Sequence, residues 1–152
     1  HLSGLDLPAA VSAIENFRGV GRRMQRHGSG EGALVLDDYA VHPTEVEVVL
    51  SVARNTGRRV RAVLQPHRWV RTARHWRALA DAAALADEVL VLDIYGAGEA
   101  PIPGISSGLI LERLHAAGKR ASHHDMTSAQ RYLRERGPLH RGTVSLSVRG
   151  TI

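Results

Sequence analysis

Cysteine is absent from the 152 residues, which excludes disulfide frameworks, thiolate zinc sites and thiol nucleophiles. Lysine is nearly absent: Lys119 is the only one, so 19 of the 20 cationic residues are arginine. That lysine is followed by Arg120 and has Arg113 where a first glycine would stand, so the chain carries no G-x-x-x-x-G-K-[ST] phosphate loop. No G-x-G-x-x-G follows an apolar strand either, because Gly28 and Gly30 sit in a polar stretch. Aromatic residues make up 4%, too few for a base-stacking platform. No apolar run approaches the roughly 20 residues of a membrane-spanning helix. His1 to Ala10 lacks the basic stretch and apolar block of a secretory signal. The expectation is a soluble, cytoplasmic protein with no membrane partner.

Hydrophobic residues at 43% and charged residues at 23% are those of an ordinary globular chain. The length suits a single domain, 1–152, which reads as an N-terminal helix and hairpin segment, 1–32, and a core, 33–152. The formal charge is +5 and the pI near 10.6. Arginine in place of lysine, with abundant alanine and glycine, reads as the coding bias of a GC-rich genome rather than a nucleic-acid surface. No nucleic-acid partner is expected.

Leu7, Val11, Ile14 and Phe17, with Pro8 near the start, predict a short amphipathic helix that ends by Gly19 and packs on the rest. Arg22 to His27, the glycine-rich stretch 28–32 and Ala33 to Leu36 read as a hairpin leading into the first core strand. One pattern then repeats, an apolar β-branched run followed by a helix. Thr44 with Glu47 reads as a capping box for a helix through Val46, Val49, Leu50 and Ala53. Val60 to Leu64 is a strand, Thr72 to about Leu85 a helix, and Val89 to Leu92 a strand. Ser106 or Ser107 caps a helix that stops at Gly118. A weak strand at Lys119 to Ser122, a helix at Thr127 to Arg136 closed by Gly137, and a strand at Thr143 to Val148 complete the chain. The alternation predicts an α/β, Rossmann-like fold: a mostly parallel sheet of about six strands with helices on both faces.

In such a sheet the carboxyl ends of the strands share one edge, where ligands bind. The suggestive polar clusters follow the predicted strands: Asp37-Asp38-Tyr39 with His42, Gln65 to Arg71, Asp93 to Glu99, His123-His124-Asp125, and Arg149-Gly150. His42, His67, His123 and His124 lack the i, i+4 spacing of a chelating helix, so no metal site is expected. No serine sits in a G-x-S-x-G elbow. Asp37 reads as a cap for the turn into the first core helix. Arg68 and Arg71, just before a helix starting at Thr72, would offer bidentate donors beside a helix N-terminus, a combination that favours a carboxylate or phosphate. Tyr39, Trp69 and Tyr95 are compatible with plain packing.

Four ordered blocks then carry a resemblance covering nearly the whole chain. They are Phe17 to Arg23, Asp37 to Glu45, Gln65 to Arg68 with Arg71-Thr72, and Tyr95 to Gly104. Together they resemble the C-terminal domain of the Mur ligases, in particular those that join L-alanine to UDP-N-acetylmuramate. The resemblance implies a cytoplasmic enzyme of peptidoglycan synthesis whose N-terminal and central domains, absent here, bind the UDP-sugar and most of the ATP and Mg2+. The reaction it implies phosphorylates the muramate carboxylate, after which the amine attacks the acyl phosphate. No catalytic residue lies in this chain, which is expected to be inactive alone. Asp38 resembles the acidic residue near the ATP ribose, while Tyr39, His42, Arg68 and Arg71 resemble residues near the amino acid. The chain departs from the family pattern at Val41, where a second histidine is usual, and at Arg149, where a small residue is usual. Both departures bear on which amine is accepted. Two alternatives stand beside this reading: a Mur-like amide ligase of a secondary-metabolite pathway, and a stand-alone, non-catalytic interaction module.

Overall fold

A computed structural model describes residues 4, 6–17, 19–27 and 34–135, and the backbone of 143–149. The expected glycine-rich turn at 28–32, together with Gly137 and Gly150, lies outside the described residues.

The elements run α1 (Leu7–Glu15), β1 (Gln25–Arg26), β2 (Leu34–Asp38), α2 (Pro43–Arg54), β3 (Arg59–Gln65), α3 (Trp69–Ala83), β4 (Glu88–Leu92), α4 (Ser107–Ala116), β5 (Arg120–His124), α5 (Met126–Glu135) and β6 (Thr143–Arg149). The strands form one sheet in the order β1-β2-β6-β3-β4-β5. Only β1 is antiparallel, pairing Gln25 with Asp37 and Arg26 with Leu36. The rest pair in parallel, and β6 is inserted between β2 and β3. The α/β alternation read from the sequence therefore holds, and every parallel strand delivers its carboxyl end to one edge.

Period-2 alternation divides the core between the two faces of the sheet. Ala62, Leu64, Val89 and Val91 join Val46, Leu50, Leu79, Ile110 and Leu114 on the face covered by α2, α3 and α4. Val63, Leu90 and Leu92 meet Ala129, Tyr132 and Leu133 of α5 on the other. All five residues of β4 are buried, which explains why its sequence reads as an unbroken apolar run after Glu88. In α2 the buried positions Val46, Val49, Leu50 and Ala53 recur at helical spacing. Leu50 is wholly buried, a burial that contributes about 2 kcal/mol.

Several local expectations are corrected. The residue capping α2 is His42, not Thr44. Its Nδ1 accepts from the Thr44 N–H at 3.4 Å, and Glu45, not Glu47, accepts from the N–H groups of Val41 and His42 at 2.9 and 3.0 Å. Pro43 then occupies the first helical position, where its missing N–H is harmless. α3 begins at Trp69, three residues before Thr72, whose hydroxyl donates back to the Arg68 carbonyl at 2.8 Å. Asp37 lies within β2 rather than at the start of α2, whose N-cap is His42, and faces Arg22 and His27 at 3.6 and 3.8 Å. α1 ends at Glu15 and, contrary to the expected packing, buries no residue: Leu7 and Ile14 are 69% and 73% exposed.

Candidate functional site

At the end of β2 the two neighbouring aspartates are held by the segment that carries β1. Asp38, 3% exposed, accepts the Met24 N–H on Oδ2 at 2.8 Å. Its Oδ1 takes no hydrogen bond among the described residues, the nearest cation being the Arg23 guanidinium at 3.9 Å. Tyr39 donates its N–H to the Arg22 carbonyl at 2.9 Å, while the Arg22 guanidinium lies 4.8 Å from the centre of the Tyr39 ring. Burial works against charge on Glu45, but the N–H groups of Val41 and His42 and the nearby Arg23 prevail and hold its carboxyl below the usual range.

The ends of β3 and β4 are sewn together beyond the strands themselves. Tyr95 N–H donates to the Pro66 carbonyl at 2.9 Å and Arg68 N–H to the Tyr95 carbonyl at 2.7 Å, forming an isolated parallel bridge between His67 and Tyr95. His67 is 9% exposed, its ring 6.3 Å from that of Tyr39 and 5.6 Å from that of Tyr95. Arg71 Nη1 lies 3.3 Å from His67 Nδ1. A guanidinium only donates, so Nδ1 accepts and the neutral ring carries its proton on Nε2. Burial, then the charges of Arg71 and Arg68, push the His67 pKa down, with Glu99 opposing. The imidazole is thereby kept in the form that can hold Arg71.

Arg68 is the N-cap of α3 at φ 70 and ψ 136, a backbone state that a side chain disfavours. Three hydrogen bonds keep it there: its N–H to Tyr95, and its carbonyl from the Thr72 N–H and hydroxyl. Its Nε lies 3.8 Å from Glu99 Oε1, while Glu99 Oε2 accepts the Val70 N–H at 3.0 Å. A carboxylate from a loop 29 residues away thus caps α3 in place of a local side chain. That loop approaches closely because residue 96 is glycine: a Cβ there would fall 2.8 Å from Trp69 Nε1 and 3.0 Å from the Glu99 carbonyl oxygen.

Farther along the edge, Asp93 accepts from or pairs with His123 at 2.9 Å, beside a cleft of about 430 Å³ lined by Trp69, Ile94 and the start of α4. His124 turns away, bonding Ser122 at 2.8 Å and packing on Tyr132, and Asp125 accepts the Ser128 N–H at 2.6 Å. Among the described residues no group of three or more histidines and carboxylates could hold a metal ion.

The structure thus brings Tyr39, Arg68 and Arg71 around His67. His42 stands on the rim, its ring 5.1 Å from that of His75 on α3. Asp38 sits apart, under the β1 segment. Sequence reasoning did not single out His67, Tyr95, His75 or Glu99 as a set. His67 had a usable signal, directly after a strand and before Arg68, whereas nothing local points to Glu99 as the cap of α3. An always-charged pair, Arg68 at the strained N-cap and Arg71 in the first turn of α3, backed by a neutral imidazole and the helix N-terminus, can bind and orient a carboxylate or phosphate.

Comparison with known proteins identifies the family. Residues 22–139 match the family model described as "Mur ligase, glutamate ligase domain". The chain is 48% identical to the UDP-N-acetylmuramate–L-alanine ligase of Deinococcus radiodurans over 89% of its own length and 28% of that protein. It superimposes on the crystal structure of UDP-N-acetylmuramate-alanine ligase from Thermotoga maritima with a TM-score of 0.76 and 28% identity, covering 98% of this chain and 31% of that one. A folylpolyglutamate synthase/dihydrofolate synthase from Yersinia pestis, complexed with AMPPNP and a manganese ion, shares the fold at a TM-score of 0.67 and 17% identity, over 95% and 32% of the two chains. The chain therefore spans about three tenths of the length of such relatives. With the family model matched over most of its length and its carboxyl edge built as described, the chain belongs to the Mur ligase family, as its C-terminal domain.

Proposed function

We propose that this chain is the C-terminal domain of a UDP-N-acetylmuramate:L-alanine ligase of peptidoglycan precursor synthesis, and that it positions the incoming amino acid. Residues 1–152 act as one unit, joined to N-terminal and central domains in a longer, cytoplasmic protein. The observation that carries this reading is the Arg68 and Arg71 pair, with Arg71 seated on the neutral His67. Arg71 and Arg68 take the amino-acid carboxylate in charge-assisted hydrogen bonds. Tyr39 and His42 border the same edge and limit the side chain. Fixing the carboxylate leaves the amine free to point away from this domain, so orientation rather than proton transfer is this chain's contribution.

ATP, when bound with Mg2+, supplies the phosphoryl group that activates the acceptor carboxylate. The residues here fit only part of it. Asp38 Oδ1 is a buried acceptor without a hydrogen-bond donor among the described residues, suited to a ribose hydroxyl once Arg23 swings aside. The chain has no P-loop lysine, so the phosphates and Mg2+ are assigned to residues outside it.

In the longer protein, Arg71→Ala is expected to raise the alanine KM by about 10- to 100-fold, the worth of a hydrogen bond to a charged group. Unchanged kinetics would remove the clamp, and amide formation by this chain alone would remove the domain reading. A second reading, in which another amine is used, rests on Val41 beside the His42 cap and on Arg149, which pairs in register with Gln65 at the end of β3. A panel of amino acids separates the two.

A further inference from the structure

The clamp does not end at Arg71. Arg68, Arg71 and His75 recur along α3 at spacings of three and four residues, so they share a face, and Arg74 stands beside them. Together with Val70 and Glu99 they line a concavity of about 190 Å³. Its charges do not balance. Glu99 is the only carboxylate in the lining, and it is committed to the Val70 N–H and to Arg68. Arg71 is met by a ring nitrogen rather than an anion. The side chains of Arg74 and His75 make no hydrogen bond or ion pair among the described residues, although the His42 ring stands edge-on to His75 at 5.1 Å. By contrast, Arg22, Arg23, Arg61, Arg113, Arg120 and Arg131 each lie within 4 Å of a carboxylate.

Size narrows the ligand. Pockets for drug-sized molecules run from roughly 300 Å³ upward, so this one suits a small ion rather than a nucleoside. Guanidiniums converge geometrically on tetrahedral and planar oxyanions, and the N-terminal turn of α3 adds positive potential. Three cationic forks against one engaged carboxylate favour a multiply charged ion over a monocarboxylate.

We propose that this concavity is a binding site for a phosphate-class oxyanion, gripped by Arg71 and Arg74 with His75 on its far wall and His42 standing against His75. It differs from the amino-acid clamp in depending on Arg74 instead of Arg68. It stands without the ligase reading, but because Arg71 is shared, phosphate and an amino-acid carboxylate compete there.

The test titrates the 152-residue chain with inorganic phosphate and, separately, with ADP, following heat and the ring-proton NMR signals of His42 and His75. Saturable one-to-one binding of inorganic phosphate is expected, weakened at least about fivefold by Arg74→Ala and less than about twofold by Arg68→Ala. Arg74→Lys, which keeps the charge but loses the fork, falls between wild type and Arg74→Ala. ADP binding that depends equally on Arg74 names a nucleotide's terminal phosphate as the source; binding of inorganic phosphate alone names the free ion. Absence of saturation of either probe up to about 20 mM overturns the proposal. So does binding that Arg68→Ala abolishes and Arg74→Ala spares. Neither result touches the ligase reading, which is decided by the Arg71→Ala kinetics in the longer protein.

Discussion

Two groups of arginines sit at opposite ends of the same parallel sheet. At the amino end, Arg61 and Arg120 surround Glu88, which is 2% exposed: Arg61 Nε bonds Oε2 at 2.7 Å, Arg120 lies 3.4 Å from Oε1, and the Tyr132 hydroxyl donates to Oε1 at 2.7 Å. Burial opposes the charge on Glu88, but the hydrogen bonds from Tyr132 and Arg61 and the two guanidiniums outweigh it and hold its carboxyl below the usual range. At the carboxyl end, of Arg68, Arg71 and Arg74 only Arg68 lies within 4 Å of a carboxylate among the described residues, and that carboxylate, Glu99, is already engaged by the Val70 N–H. The first group is closed upon itself and ties β3, β4, β5 and α5 together. The second holds Arg68 in a strained backbone and seats Arg71 on a neutral imidazole, which leaves them, as proposed above, for an anion from outside. On the reading proposed above, the same residue type serves stability where a buried carboxylate faces it and recognition where none does.

Removing Arg61 breaks the closed group. Arg61→Ala leaves a buried carboxylate short of its best partner and is expected to cost about 3 kcal/mol, a fall of roughly 6–12 °C in Tm by thermal melting. A loss smaller than about 1 kcal/mol would mean that Arg120 and Tyr132 suffice and that the contrast is overstated.

The open group is sharpened by Arg68→Gly, which relieves the left-handed backbone while removing the side chain. Stability is expected to rise by about 1 kcal/mol in the melt, with the amino-acid affinity of the longer protein falling, whereas Arg68→Ala loses that affinity without the gain. Equal stability of the two variants would show that the φ of 70 carries no strain.

Acid separates the groups more gently. Both His67 and Glu88 have folded pKa values depressed below their ordinary 6.5 and 4.5, so each contributes stability that is present above the ordinary value and lost as pH falls through the folded one. Melting temperature is expected to decline first below about pH 6.5, as protonation sets a cation against Arg71, and again below about pH 4.5 as Glu88 is neutralised. In Arg61→Ala the second decline should shrink while the first persists. A profile unchanged by that substitution would detach Glu88 from Arg61.

Much of this arrangement is legible in the chain itself. Alternating apolar runs and helical periodicities mark the strands and helices because burial imposes a period on each. The start of α2 was displaced by two residues, from Thr44 to His42, because a histidine ring can accept from an N–H as a hydroxyl does, and local pattern alone favours the commoner Thr-x-x-Glu. The start of α3 was displaced for a different reason. No side chain near Arg68 caps it; Glu99 does, across 29 residues. The apolar stripe of α1 reads correctly as amphipathic, yet amphipathicity says only that a face can be buried, and among the described residues nothing covers it. The paired histidines 123 and 124 part ways because successive residues of a strand point to opposite faces.

By itself, then, the sequence determined the α/β alternation, the lack of a phosphate loop, the family, and the presence of Arg68 and Arg71 beyond a strand end. Each of these is written in composition or in the spacing of near neighbours. Only the tertiary structure decided that His67 receives Arg71, that Glu99 caps α3, and that Arg74 and His75 complete a concavity. The Glu99 contact joins the segments that follow β3 and β4, neighbours in the strand order β2-β6-β3-β4-β5, a property of the folded sheet that no local window of the chain contains, while the seating of Arg71 on His67, four residues apart, was fixed by where α3 begins.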